Sequence, residues 1–140
     1  MPDLNSDAAR REAIELFYFA YRAFTDGPDR ILARRGLGRV HHRILYFVGG
    51  RPGITVGGLL AVLAVSKQAL NAPLRQLGEM KLVEAIADEA DRRVKRLRLT
   101  PEGQRLEAEL TGVQERLLDT AFAGADAAGW HTVMQRLAAA

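Results

Sequence analysis

The 140-residue chain contains no cysteine. A disulfide framework, a zinc site built on thiolates and oxidant sensing by a reactive thiol are therefore excluded. Histidine is also scarce: His41 and His42 are neighbours, which on a helix project roughly 100° apart, and His131 lies far along the chain. We expect no metal ion and no other cofactor.

Long apolar runs are missing as well. No stretch approaches the roughly 20 apolar residues that span a bilayer, and the segment from Met1 to Asp7 has neither the basic nor the apolar part of a secretory signal. These absences predict a cytoplasmic protein without a membrane partner. The chain also lacks a phosphate loop and any Ser-His-Asp or Cys-His arrangement, so an enzyme is not expected.

What the chain does contain is a helix-turn-helix pattern between Ile54 and Leu77. Thr55 and Ser66 are suitable N-caps for two successive helices, because their hydroxyl oxygens can accept a backbone N–H. Behind each cap, apolar side chains recur at steps of three and four residues. They are Val56, Leu59, Leu60 and Leu63 in the first helix, and Leu70, Leu74 and Leu77 in the second.

The second helix carries a polar face opposite its leucines. Lys and Arg side chains can neutralise phosphates or contact guanine, and Gln and Asn can bond to adenine edges. The candidate DNA contacts of this recognition helix are Ser66, Lys67, Gln68, Asn71 and Arg75. The alternative interpretation is an ordinary solvated helix face.

A basic two-stranded ribbon follows the second helix. The strands are predicted at Val83–Ala87 and Val94–Thr100, and in the second strand leucines alternate with arginines, as in a half-buried strand. Arginines at the tip of such a ribbon suit a narrow minor groove. We call this ribbon the wing. Its candidate DNA contacts are Arg92, Arg93, Lys95 and Arg96.

The formal charge of the chain is concentrated in this region. Eight basic and five acidic residues lie between Ser66 and Thr100, and the resulting excess equals the +3 charge of the whole chain. A basic excess confined to one segment is expected of a nucleic-acid-binding face. The alternative is a patchy basic surface that has no partner.

Further helices are predicted on both sides of this pattern. Ser6 or Asp7 is expected to cap the first, which runs to about Thr25; Gly27-Pro28 is expected to break the pattern, and helix can resume over 29–35. The apolar surface of this first helix is wider than one stripe. Such an excess favours a homodimer interface, although later helices of the same chain are an alternative cover. The remaining predictions are a helix at 39–48, a loop at 49–53, a long helix from Pro101 and a last helix at about 126–137.

Two features disturb the helix-turn-helix pattern. Pro73 lies inside the recognition helix, where it removes one backbone hydrogen bond. Gly57 and Gly58 weaken the preceding helix by about 1 kcal/mol each relative to alanine, and they would permit a close helix crossing. Both features are expected to affect how deeply the recognition helix enters the groove.

The helix-turn-helix and the basic ribbon that follows it resemble the MarR family of bacterial transcription regulators. The resemblance lies in Val65–Gln68 at the start of the recognition helix, in Leu77–Val83 at its end, and in the wing. The wing has an acidic-then-arginine tip and leaves through Leu99-Thr100-Pro101-Glu102-Gly103. The flanking helices match in pattern and length.

This resemblance implies a mainly α fold with a small β-hairpin in a single domain of residues 1–140. A winged helix-turn-helix at about 39–100 would be joined to dimerisation helices at about 7–35 and 102–139. The implied function is a homodimeric, sequence-specific repressor of a roughly palindromic site in double-stranded DNA, with recognition helices about 34 Å apart. The alternative is a winged helix used for protein–protein contact, against which the dense arginine of the wing argues.

The resemblance also implies a small aromatic or phenolic ligand. It would bind between the dimerisation helices and the winged helix-turn-helix at about 39–100, called the reader below, and it would release the DNA. The candidate pocket residues are Phe17, Tyr21, His41, His42 and Arg43. Phe17 and Tyr21 stand at core spacing, so packing within the core is the alternative for these two.

Overall fold

The computed structural model describes residues 4–140 as six helices and three short strands. Within this range no helix is both long and apolar enough to cross a membrane. The signal-sequence expectation, as far as it concerns residues 1–3, lies outside the described residues. The elements are α1 (Asp7–Ala33), α2 (Arg39–Gly50), β1 (Ile54–Thr55), α3 (Val56–Leu63), α4 (Lys67–Glu79), β2 (Val83–Ala87), β3 (Lys95–Leu99), α5 (Pro101–Phe122) and α6 (Ala127–Ala138).

The three strands form one antiparallel sheet in the order β1-β3-β2. The predicted mainly α fold with a small hairpin is confirmed, but the ribbon has a third strand that the sequence did not predict. Ile54 pairs with Leu97 and Thr55 with Arg96. A strand of two residues is too short to show an alternating pattern, so only its pairing identifies it.

The predicted caps are in place. Thr55 Oγ1 accepts the N–H of Gly58 at 3.0 Å, and Ser66 Oγ accepts that of Ala69 at 3.1 Å. Thr100 caps α5 in the same way, and Pro101 is its first residue. Each cap satisfies a backbone donor that the first helical turn leaves free.

One apolar core holds the reader to the long helices. Leu70 and Leu77 of α4 are fully buried in it, whereas the opposite face of the helix remains exposed. Contributions from the neighbouring elements are Ile44, Leu45 and Val48 of α2, Leu59 of α3, Leu97 and Leu99 of β3, and Leu106 and Leu110 of α5. The leucine stripe thus orients the polar face of α4 toward solvent.

The predicted break at Gly27-Pro28 is wrong, because α1 continues through both residues to Ala33. Proline removes the N–H that would bond to the carbonyl four residues earlier, which is Phe24 O. Gln114 Nε2 of α5 donates to that carbonyl at 3.3 Å instead. Gly27 packs so closely on Val113 that an added Cβ would lie 2.7 Å from its Cγ1, and Pro28 is fully buried. The dipeptide is therefore a packing site between α1 and α5.

The two irregular features of the helix-turn-helix are also accommodated. α4 runs without interruption through Pro73, which is half-buried on the core side. The open side of Gly58 faces β1, where an added Cβ would lie 3.1 Å from Ile54 Cγ1. Gly58 therefore permits a close approach to strand β1. The sequence pattern predicts instead that these glycines permit a close crossing of two helices.

Candidate nucleic-acid interface

The polar face of α4 is fully available to a partner. Lys67, Gln68, Asn71 and Arg75 are all exposed. Ser66 is exposed too, but its oxygen is engaged as the N-cap, so it stands at the positive end of the helix dipole. All five residues are thus exposed, four of them on the polar face of α4 and Ser66 at its N-terminus.

Arg75 has a weak intrahelical partner. Its Nε lies 3.9 Å from Glu79 Oε1, and both side chains are largely exposed. Exposed pairs of this kind contribute roughly 0–1 kcal/mol. Arg75 therefore remains able to exchange Glu79 for a phosphate or a base.

A surface groove of about 500 Å³ lies between α4 and the sheet. Asn71 and Arg75 line it from the helix, and Lys95 lines it from β3. Candidates from two separate motifs are thereby brought to one concave surface. The apolar floor includes Leu74, Val83 and Leu97.

The four wing candidates divide into two kinds. Arg93 makes a two-point pair with Asp91, with Nε–Oδ1 and Nη2–Oδ2 distances of 3.0 and 3.2 Å. Arg96 pairs with Asp88 at 2.6 Å and donates to Gly53 O at 3.0 Å. The side chains of Arg92 and Lys95 have no hydrogen-bond or ion-pair partner among residues 4–140. Within residues 4–140, two of these cations are therefore free and two are paired with acidic residues of the wing.

The acidic residues of the tip have a structural role that the sequence did not indicate. Asp88 Oδ2 accepts the N–H groups of Ala90 and Asp91 at 3.1 and 3.0 Å, which closes the turn. The hydrogen bond from Arg96 lowers the pKa of Asp88, and the backbone bonds add to this effect. Arg93 lowers the pKa of Asp91 in the same manner. Both carboxylates are thus held in the charged form.

A second cavity, of about 390 Å³, lies between α1, α2 and α5. Tyr21, His42 and Arg43 line it, so three of the five predicted pocket residues meet there. Arg43 Nη2 donates to the Tyr21 hydroxyl at 3.0 Å. Further lining residues that the sequence analysis did not select are Phe24, Thr25, Arg39, Tyr46, Phe47, Thr111, Gln114, Glu115 and Leu118.

Phe17 and His41 are absent from the lining of this cavity. Phe17 is 53% exposed, and Tyr21 is 41% exposed, so core packing within one chain is wrong for both. His41 is 8% exposed and turned toward α4. Its Nδ1 accepts the N–H of Gly38 at 2.9 Å, and its Nε2 lies 2.9 Å from Gln76 Oε1. His41 is therefore a tether between α2 and the recognition helix.

His42 is buried beside the cavity, and burial lowers its pKa, although the charges of Asp29 and Glu107 oppose this shift. Asp29 binds Arg39 through a 2.8 Å contact between Oδ2 and Nε. The imidazole is thus favoured in its neutral form. A neutral histidine beside two arginines and two tyrosines suits a polar aromatic ligand.

Large apolar side chains remain exposed on the long helices. Ile14 of α1 is 72% exposed, and the neighbouring residues in sequence are similarly uncovered. The described exposed set includes Leu16, Phe17, Tyr18, Phe19 and Tyr21 of α1, Leu117 of α5, and Trp130, Val133 and Leu137 of α6. Later helices of the same chain do not cover these side chains.

Comparisons with known proteins agree with this architecture. The model of the MarR family matches residues 35–94. The HTH-type transcriptional regulator PetP of Rhodobacter capsulatus is 42% identical over 135 residues, which cover 94% of this chain and 81% of that protein.

Solved structures show the same fold at lower sequence identity. The crystal structure of a MarR family transcription regulator has a TM-score of 0.77 and 22% identity, covering 91% of this chain and 87% of that one. FabT of Streptococcus pneumoniae in complex with DNA has a TM-score of 0.77 and 17% identity, with 92% of each chain covered. Together with the 42% identity to PetP, these findings establish that the chain belongs to the MarR family of transcription regulators.

Proposed function

We propose that this protein is a homodimeric repressor of a roughly palindromic DNA site, released when a small aromatic or phenolic ligand binds. The observation that carries the proposal is the groove where Asn71 and Arg75 of the recognition helix meet Lys95 of the wing. A DNA partner also implies the cytoplasm as the place of action. No catalytic step belongs to the proposal.

Each DNA-facing residue has a defined role in this proposal. Gln68 and Asn71 bond to base edges in the major groove, because their amides can donate and accept together. Arg92 and Lys95 contact the phosphate chain and the minor groove, since neither side chain has a partner within residues 4–140. Arg93 and Arg96 act mainly by holding the wing in shape. The DNA present in the FabT structure supports this partner.

The long helices serve dimerisation. We propose that residues 7–35 and 102–139 pair with a second copy and that residues 39–100 form the reader, all within one domain of residues 1–140. The exposed apolar side chains of α1 and α6 support this division, because surfaces of this kind mark contact sites. Two copies would place their recognition helices in successive major grooves.

The ligand would occupy the cavity lined by Tyr21, His42 and Arg43. Aromatic rings offer stacking surfaces, while Arg39 and Arg43 offer donors for an oxygen of the ligand. Release requires that the ligand prefer one spacing of the recognition helices over the other. Since the cavity joins α1, α2 and α5, such a ligand would contact both the dimerisation helices and the first helix of the reader.

The primary test is binding of the full chain to duplexes selected from a random pool, measured by fluorescence anisotropy with excess non-specific competitor at several salt concentrations. Binding that survives competitor and weakens with salt supports the proposal, because phosphate contacts release counterions. Failure to enrich any duplex from the pool, together with no binding of the unselected pool at low salt, would overturn it and favour protein–protein contact.

Substitution of Arg92 tests the wing. Arg92→Ala should weaken binding to all sequences and reduce the slope of log affinity against log salt by about 0.9 for each phosphate that is no longer neutralised. Arg93→Ala removes the same formal charge from a side chain that already pairs with Asp91, so it should disturb the shape of the wing and lower the salt slope less than Arg92→Ala. An equal effect of both changes would contradict the division into free and structural cations.

Substitution of Gln68 or Asn71 tests base reading. Either alanine variant should lose about 1–3 kcal/mol of discrimination between the selected site and a mutated site, with little change in non-specific binding. Gln104→Ala, at an exposed position of α5, is the control. Unchanged discrimination in both recognition-helix variants would show that α4 lies differently on DNA.

A further inference from the structure

A second group of free arginines lies outside the helix-turn-helix and the wing. Arg34 and Arg35 follow the last residue of α1 and are exposed. Neither has an ion-pair or hydrogen-bonding side-chain partner among residues 4–140, whereas nearby Arg30 pairs with Asp26 and Arg39 pairs with Asp29. These two cations are therefore available to an external anion.

The turn that presents them has a defined conformation. Gly36 has a φ of +71°, in the left-handed region that favours glycine. The N–H of Leu37 donates to Leu32 O at 3.0 Å, and that of Gly36 donates to Ala33 O at 3.1 Å. Leu37 is buried in the core. Such bonds close a helix end, so the two arginines project from an ordered turn.

The same turn is fastened to the recognition helix. Gln76 Nε2 of α4 donates to Gly36 O at 3.5 Å, and Gln76 Oε1 lies 2.9 Å from His41 Nε2. Because Nδ1 of His41 accepts the N–H of Gly38, the imidazole proton is on Nε2 and points to Gln76. The turn 34–38 thus keeps a set position beside α4.

This position is on the flank of α4 that faces away from the wing. Asn71, Arg75 and Gly78 face the sheet across the shared groove. Gln76 follows Arg75 by one residue, which is roughly 100° further around the helix. Viewed along the axis of α4, Gln68 points to the outer face, away from the core. This outer face therefore lies between the sheet on one side and the Arg34–Arg35 turn on the other.

The major groove of DNA is bordered on each side by the phosphate backbone of one strand, and these two borders are called its walls here. It is about 12 Å wide, and a helix with its side chains has a diameter of about 10–12 Å, so both flanks of an inserted helix approach the backbone. We infer that Arg34 and Arg35 bind backbone phosphates on the wall opposite to the one that the wing contacts. This inference rests on the proposed DNA-binding function and adds a second electrostatic contact surface to it.

A local role for these arginines makes a different prediction. Basic side chains at a helix C-terminus stabilise the helix through its dipole. If that were their only function, their removal would lower thermal stability and leave the salt dependence of DNA binding unchanged. The slope against salt therefore separates the two roles.

The experiment compares Arg34→Ala, Arg35→Ala and the double variant with the wild type on the selected duplex and on an unrelated duplex. Each arginine occurs twice in a dimer, so each single change should lower the salt slope by about 1.8, from 0.9 for each phosphate that is no longer neutralised. Affinity should fall on both duplexes by a similar factor, because phosphate contacts carry no sequence information. Arg34→Lys and Arg35→Lys should retain the slope.

Arg11→Ala is the matched control, once sedimentation velocity has shown that this variant is as dimeric as the wild type, because Arg11 lies in the helix proposed for dimerisation. Arg11 is exposed near the start of α1, and the 23 residue steps from Arg11 to Arg34 correspond to about 35 Å along the helix. Arg11→Ala therefore removes the same charge at a distance from Arg34 that is several times the Debye length of about 8 Å at 0.15 M salt. An unchanged slope in the double variant, or an equal reduction in Arg11→Ala, would overturn the inference while leaving the proposed function standing. Absence of salt-sensitive binding by the wild type would overturn both.

Neutral methylphosphonate linkages placed singly along the selected duplex give a second readout. Positions that contact Arg34 or Arg35 should weaken binding of the wild type and have no further effect on the double variant. These positions should differ from those at which Arg92→Ala becomes insensitive. Insensitivity at the same positions in both variants would overturn the assignment to opposite walls.

Discussion

At the scale of single residues, neighbouring side chains of one type have different environments. His41 and His42 are adjacent, yet His41 is bonded to α4 through Gln76, whereas His42 faces the cavity between α1, α2 and α5. The wing arginines differ in the same way, because Asp91 and Asp88 neutralise two of them. Residue type alone therefore does not assign a role, and the partner of each side chain does.

The free energy of unfolding should depend on pH through His42. Burial lowers the pKa of the folded state, whereas histidine in an unfolded chain titrates near about 6.5. The unfolded chain therefore binds more protons in this range. The stabilisation is fully present above about pH 6.5 and is lost as pH falls through the lowered pKa. Chemical denaturation between pH 5 and 8 measures this dependence.

The variant His42→Gln cannot titrate, so its free energy of unfolding should change less with pH than that of the wild type. The control is His131→Gln, an exposed position on α6, which leaves the imidazole of His42 in place. Parallel pH profiles for wild type and His42→Gln would show that His42 is not the responsible group.

At the scale of elements, α1 shows how a helix tolerates proline when a neighbour replaces the missing donor. Pro28 leaves Phe24 O without its usual intrahelical partner, and Gln114 of α5 supplies an N–H. The helix can therefore continue for its full 27 residues. The same contact fastens α1 to α5 next to the candidate ligand cavity.

A double-mutant cycle tests this replacement. Gln114→Ala should destabilise the protein by about 1 kcal/mol, the typical net value of one hydrogen bond. In a Pro28→Ala background the restored backbone N–H can bond to Phe24 O, so the same change should cost less, by roughly 0.5–1 kcal/mol. Unfolding in denaturant provides the four free energies. Equal costs of Gln114→Ala in the two backgrounds would exclude the coupling.

At the scale of the whole molecule, the exposed apolar residues of α1 and α6 indicate that a single chain leaves a contact surface uncovered. Ile14 and its neighbours would form part of an interface that a second copy covers. A charge introduced there would be buried without a partner, at a cost of about 3–5 kcal/mol. Ile14→Glu should therefore raise the dimer dissociation constant more than about 100-fold.

Sedimentation velocity over a range of concentrations measures this change. Val62→Glu is the control, because Val62 is also apolar and exposed, at 39%, but lies on α3 in the reader. It should leave the dimer intact. A wild-type dissociation constant for Ile14→Glu would place the interface elsewhere and would require another explanation for the exposed face of α1.

The amino-acid sequence by itself determined the caps, the leucine stripe of α4 and the strands of the wing. These features depend on residues within a few positions of each other: Thr55 and Ser66 cap helices that start at the next residue, and the leucines of α4 recur with the helical period. The exposed face of the recognition helix follows from the same period, which is why its four candidates within the helix lie on the surface.

Only the tertiary structure decided how α1 passes Pro28, where the third strand pairs and which wing cations are free. Each outcome depends on partners far apart in sequence: Gln114 with Phe24, Ile54 with Leu97, and Arg96 with Gly53. Local pattern carries no information about such pairs, because their energy appears only when packing brings the two groups within hydrogen-bonding distance. The position of Arg34 and Arg35 beside α4 was decided in the same way, through Gly36 and Gln76.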